Sequence, residues 1–176
     1  MLLADFDRGQ IRYAAIGGFA LSVFGAARAT VDLDFLIHRE DLDALHRILT
    51  SLGYQRLAQT ENVSHYVHPD ALWGSLDFVH AFRQPSLRML DRATSYPIFG
   101  GTQHLRVAAP EDVIGLKVQA MVNDPSRRGK ELVDIQALVE RHGPTLDWQR
   151  IQEYFDIFEI GEEAGRLRER FGHAER

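Results

Sequence analysis

The chain contains no cysteine, which excludes disulfides and cysteine-built zinc sites and fits a reducing compartment. No apolar run reaches the length of a membrane span, so no membrane partner is expected. Basic residues are not in surplus: 20 Lys and Arg against 25 Asp and Glu leave a net charge of −5. That excludes a surface coated in positive charge for general nucleic-acid binding. It leaves room for a local groove built from Arg28, Arg127, Arg128 and Lys130. The opening Met1-Leu-Leu-Ala-Asp-Phe-Asp has no basic stretch ahead of its apolar residues and does not read as a signal peptide; the expected location is cytoplasmic. No Gly-x-Ser-x-Gly elbow, Walker loop, dinucleotide fingerprint or internal repeat is present. What is there is ordinary globular composition, 45% apolar and 26% charged over 176 residues. That length suits one domain, or one domain with a small appended part.

Periodicity divides the chain at Pro110. Before it, strands and helices mix. Residues 3–9 read as a short helix, 11–16 as a strand ending at Gly17-Gly18, and 19–24 as a short helix stopped by Gly25. Residues 31–37 are a second strand. Residues 40–52 form an amphipathic helix with Leu42, Leu45, Ile48, Leu49 and Leu52 in one stripe. Strands are expected at 54–58, 63–68 and 73–82, then a helix at 86–94, a hairpin around Gly100-Gly101 and a strand at 104–107. From Pro110 the pattern is helical: 110–122, 127–142, and a stretch from Asp147 to about Phe171 interrupted at Gly161. The fold class is α+β: a mixed β-sheet flanked by helices over residues 1–109, with a helical C-terminal part over 110–176 packed on it.

The chemistry gathers near the N-terminus. A strand repeats every two residues, so Asp32 and Asp34 project from one face. Their Cα atoms are ~6.6 Å apart at about 3.3 Å per residue, close enough to share a divalent cation or hold a pair. Asp77 interrupts an otherwise apolar strand and points away from Leu76 and Phe78, which makes it a third carboxylate if its strand lies beside the first two. Gly17 and Gly18 can bring bare backbone N–H groups against phosphate, and the following helix offers its positive end. Arg28 can neutralise phosphate, and Thr30 sits between it and the acids. Together these suggest metal-dependent phosphoryl or nucleotidyl transfer. Downstream, Lys117 shares a helix face with Val113, Ile114 and Met121 and needs a partner or a ligand there. Glu131 and Asp134 lie on one side of the next helix, where Asp134 is spaced for a surface pair with Lys130. His65, His68 and His80 do not make a zinc site, because positions three apart on a strand face opposite ways.

The joint order resembles the nucleotidyltransferase superfamily of polymerase-beta-like fold, and within it the bacterial abortive-infection and toxin–antitoxin branch. Gly17, Gly18, Arg28, Thr30, Asp32, Asp34 and Asp77 match its pattern of glycine turn, short helix, Arg-x-Thr-x-Asp-x-Asp and later strand acid. Lys117 and the segment Arg127 to Asp134 match its second motif, with Gly18 where many members have serine and Glu131 where aspartate is commoner. The resemblance implies transfer of a nucleoside monophosphate from an NTP with Mg²⁺ or Mn²⁺, releasing pyrophosphate. It implies that Asp32, Asp34 and Asp77 hold metal and that Asp77 helps deprotonate the acceptor hydroxyl. Gly17 and Gly18 would cradle the triphosphate, Lys117 would contact phosphates and Asp134 would position it. The acceptor expected on this basis is RNA, a tRNA end in a toxin-like enzyme with a cognate partner protein. The alternatives are an antitoxin-type enzyme that nucleotidylates a protein hydroxyl, and a non-catalytic module that binds a nucleotide or a partner.

Overall fold

The structure is a computed structural model that describes residues 2–26 and 32–172. It has two compact units, Met1–Ala20 with Arg28–Ala108, and Leu21–Ala27 with Ala109–Arg176.

The first unit is built on a seven-stranded mixed sheet. Its elements are α1 (Leu2–Arg8), β1 (Tyr13–Ile16), the start of α2 (Gly17–Val23), β2 (Leu33–His38), α3 (Leu42–Ser51), β3 (Gln55–Gln59), β4 (Val63–Val67), β5 (Ser75–Ala81), α4 (Gln84–Arg92), β6 (Thr94–Ile98) and β7 (Gln103–Val107). The strand order is β3-β4-β5-β2-β1-β7-β6. β1 runs antiparallel to β2 and parallel to β7, while β2 runs parallel to β5. Every residue of β1 is buried, as a central strand requires, and its sequence is accordingly apolar throughout.

Alternation on β2 and β5 sends Phe35 and Phe78 to the core face. There they stack with ring centroids 5.5 Å apart, and Phe6 of α1 meets Phe35 edge-on at 5.8 Å. Tyr13 and Tyr66 extend this cluster. Each aromatic buried in this way contributes about 1.5–3 kcal/mol. His80 continues the same face of β5 and is a satisfied core histidine: Nδ1 bonds the Glu61 carbonyl and Nε2 the Ser64 hydroxyl.

The second unit comprises α5 (Pro110–Asn123), α6 (Arg128–His142), α7 (Trp148–Ile157) and α8 (Gly161–Phe171), together with Leu21–Ala27. Its core is Ile114, Val118 and Met121 of α5, Ile135 and Leu138 of α6, and Ile151 and Phe155 of α7. Asp147 caps α7 by accepting the Arg150 N–H. Gly115 lets α5 approach the Tyr154 ring, where a Cβ would sit 2.6 Å from the nearest ring carbon. The Tyr154 hydroxyl in turn donates to buried Asp112 at 2.7 Å.

The element boundaries differ from expectation where glycine and short turns intervene. The helix expected over 40–52 begins as a 3₁₀ turn at Arg39–Asp41. The strand expected from Trp73 starts only at Ser75, because Ala71–Trp73 forms a 3₁₀ turn closed by Gly74. Residues 21–27 cluster with the helical unit, which the sequence pattern did not reveal.

Candidate active site

Strand register brings the acids together. Asp34 of β2 pairs directly with Asp77 of β5 in the parallel ladder, which sets their Cα atoms about 4.8 Å apart. Asp32 lies just before β2, and Ser75 at the head of β5 donates its hydroxyl to the Asp32 carboxylate. Residues two apart on a strand share a face, so Asp34, Asp77 and Ser75 stand on the side opposite Phe35 and Phe78. Asp77 is partly exposed there, at 41% of its side chain.

On the far side of Asp77 lies His65 of β4, its cross-strand partner. His65 Nδ1 bonds Asp77 Oδ1. Sequence reasoning set His65 aside because it paired it with His68 along the strand; the partner that matters lies across the ladder. His68 instead meets the Tyr54 ring edge-on and the Trp73 ring at a tilt.

Gly17 closes the constellation. Its φ is +62°, a conformation that glycine adopts without strain. A Cβ there would overlap the Asp34 carboxylate. Two independent demands therefore fix glycine at this position. Gly18 follows in the first turn of α2. Arg28 and Thr30 lie outside the described residues.

Within the helical unit, Lys117 is buried and bound by both acids of α6. Its Nζ is 2.9 Å from Glu131 Oε2 and 2.6 Å from Asp134 Oδ2. Arg127 braces the other oxygen of Glu131 at 2.7 Å. Burial alone would raise the Glu131 carboxyl, but the hydrogen bonds from Lys117 and Arg127 outweigh it and hold the group below its ordinary range. The surface pair expected between Lys130 and Asp134 is replaced by this buried one: Asp134 is 3% exposed and turned to Lys117. The apolar surroundings of Lys117 make the inward pairing the only way to keep its charge satisfied. Arg128 binds Glu163 of α8.

Carboxylates such as those of Asp34 and Asp77, paired across the ladder, are the hard oxygen donors that Mg²⁺ and Mn²⁺ take. In the arrangement seen, Ser75 holds Asp32 and His65 holds Asp77. Among the described residues no group of three or more His, Asp or Glu is set to hold a metal ion. A pocket of about 690 Å³ lies elsewhere, at the strand ends marked by Tyr13 and His38. Arg12 in its wall is held by Asp41, and Arg106 by the Leu90 and Ala93 carbonyls.

Residues 1–160 match the model of a family described as uncharacterised nucleotidyltransferase. A comparison with curated proteins finds no match. Among solved structures, the antibiotic-resistance factor ANT(2'')-Ia is similar over 98% of this chain and 94% of its own, with a TM-score of 0.67 and 15% identity. The lincosamide antibiotic adenylyltransferase LnuA, in a lincomycin-bound structure, matches over 78% of this chain and 91% of its own, with a TM-score of 0.52 and 14% identity. An antigenic nucleotidyltransferase-like protein from Paracoccidioides brasiliensis covers 94% of this chain and 88% of its own, with a TM-score of 0.55 and 18% identity. At such identities the likeness is one of fold. No helix among the described residues is long and apolar enough to cross a membrane.

Proposed function

Because the chain belongs to this family of nucleotidyltransferases, whose model spans residues 1–160, we propose that its Asp32, Asp34 and Asp77 face moves a nucleoside monophosphate from a nucleoside triphosphate to an acceptor hydroxyl. The observation that carries this reading is the direct pairing of Asp34 with Asp77 across β2 and β5. A bound Mg²⁺ or Mn²⁺ would supply charge neutralisation on the phosphates, and Asp32, Asp34 and Asp77 are the residues that would hold it. The acceptor oxygen forms a bond to the α-phosphorus. The α–β anhydride bond breaks, and its electron pair leaves with pyrophosphate. The hydroxyl proton passes to the Asp77 carboxylate. Gly17 and Gly18 present backbone N–H groups to the triphosphate. Lys117 keeps the phosphate contact that its motif implies. Asp134 orients it. Arg28 and Thr30 keep the phosphate-side roles that their motif implies.

For the acceptor, we favour a small hydroxylated molecule over RNA. A structure of ANT(2'')-Ia, similar over 97% of this chain, holds adenylyl-2''-tobramycin, and the LnuA structure holds lincomycin. A net charge of −5 also disfavours a polyanionic acceptor. The test is label transfer from each α-labelled nucleoside triphosphate to aminoglycosides, to lincosamides and to total RNA. The expected result is a labelled small molecule and released pyrophosphate, both lost in Asp34→Asn and in chelator. Label on RNA would favour the toxin-like reading, and label on a co-purifying protein the antitoxin-type one. Triphosphate binding that needs neither metal nor Asp34, with no transfer, would leave a non-catalytic module.

A further inference from the structure

The residues that line the cavity of about 690 Å³ all belong to the first unit. It sits where β1 begins and β2 ends, at Tyr13 and His38. Asp34 stands at the other end of the same strand pair, opposite Ile16. From Asp34 to His38 the strand rises about 13 Å, at roughly 3.3 Å per residue. The cavity is therefore separate from the acids proposed for transfer.

Its cations are engaged and its carboxylates are not. Arg12 is bound by Asp41 and Glu40. Arg106 donates to the Leu90 and Ala93 carbonyls at the C-terminal end of α4. The side chains of Asp7 and Asp91 have no hydrogen-bond or ion-pair partner among the described residues, and both are exposed. Each lies in the last turn of its helix, Asp7 in α1 and Asp91 in α4. A helix carries the negative end of its dipole there, so a carboxylate is unfavourably placed. With Glu40 and Asp41 included, acids outnumber the two arginines around the cavity. The rest of the wall holds apolar Leu87 and Leu90 and the amides of Gln10 and Gln84, whose side chains bond nothing in the described residues. Tyr13 is 3% exposed, and no side chain bonds its hydroxyl; the charges acting on it are those of Asp7 and Arg106, and its one polar contact is the Arg106 backbone.

We propose that this cavity binds a small organic polyamine, a flexible cation with two or more ammonium groups on a methylene stem. One ammonium pairs with Asp7 and another with Asp91, while the stem lies along Leu87 and Leu90. The remaining N–H donors go to the amide oxygens of Gln10 and Gln84 and to the Tyr13 hydroxyl. An ammonium has three donors and no acceptor, which matches a wall of unused acceptors. A cavity of several hundred Å³ is the size of a small-molecule site, and among the described residues no group of three His, Asp or Glu is set for a metal ion. A neutral ligand would leave both carboxylates unpaired, and an anion would meet surplus negative charge. The site stands independently of the transfer reaction.

The test is calorimetric titration of the full chain with spermidine, and with 1,6-hexanediol as a neutral counterpart. The expected result is saturable one-to-one binding of spermidine and none of the diol. Asp7→Asn and Asp91→Asn should each weaken binding by about tenfold, and the two together should abolish it. Without the amine, the double variant should melt no lower than the parent, since both acids sit at the wrong end of a helix. Asp43→Asn with Glu169→Gln removes the same charge from exposed positions elsewhere and should keep the affinity within about twofold, as should Asp34→Asn. An equal loss in the Asp43 and Glu169 variant would mean general attraction to an acidic protein and overturns the proposal. So does affinity that falls with Asp34→Asn but survives loss of Asp7 and Asp91, equal binding of the diol, or no saturable binding of spermidine. None of these results bears on label transfer, so the cavity and the proposed function stand or fall separately.

Discussion

Gly17 and Asp34 occupy each other's space: a side chain on residue 17 would stand inside the Asp34 carboxylate. The two are brought together by the antiparallel pairing of β1 with β2, which sets Ile16 opposite Asp34. A small change at residue 17 therefore acts on the acid as well as on the turn.

Gly17→Ala should cost about 1–2 kcal/mol from the left-handed backbone alone, because φ is +62°. It should also displace Asp34 and lower transfer more than tenfold. Thermal unfolding and steady-state kinetics on one preparation check both. A variant that melts lower but keeps full kcat would show that Asp34 does not depend on the turn.

Asp34→Asn and Asp77→Asn should each lower transfer by at least 10²-fold while leaving the melting temperature within a few degrees, since Asp77 stands on an open face. Circular dichroism on heating, beside the label-transfer assay, separates loss of chemistry from loss of fold.

Lys117→Met should destabilise by about 3–5 kcal/mol, because it removes the ammonium that binds two buried carboxylates; Glu131 and Asp134 are 1% and 3% exposed. Replacing all three at once with apolar residues of similar volume should recover much of that loss. Chemical denaturation of the single and triple variants measures it. A single variant as stable as the parent would deny that the buried pair matters to folding.

His80 gives the pH dependence a sign. Burial is the main cause that lowers its pKa from an ordinary 6.5, partly opposed by the Glu61 carbonyl. The unfolded chain then binds the proton more readily than the folded one. Stability from this residue is complete above pH 6.5 and is lost as pH falls through that value toward the lower folded pKa. His80→Gln should flatten the change in melting temperature between pH 7 and pH 5. An unchanged slope would assign the acid sensitivity to other groups.

Much of the site could be read from residue order. Period-two alternation put Asp34 opposite Phe35, and the lone acid in an apolar strand singled out Asp77, because both follow from local geometry. Lys117 was legible for a similar reason: a cation on an apolar helix face has to be paired. Which carboxylate pairs it was not legible. Spacing along the helix pointed Asp134 to Lys130, whereas tertiary packing turns it to Lys117. His65 escaped for the same reason. Its partner is twelve residues away in sequence and adjacent only through ladder register, which no window of sequence reports. The boundary between the units was equally hidden, since residues 21–27 are too few to carry a periodic signal of their own.

The direct opposition of Asp34 and Asp77 turns the sheet into its own gauge of assembly. Were β2 to slide by a single position along β5, Asp34 would lose its opposite number and the face carrying the acids would be dealt a different set of side chains. Misaligned molecules would be catalytically silent even if compact and helical, so specific activity would count correctly threaded chains one by one.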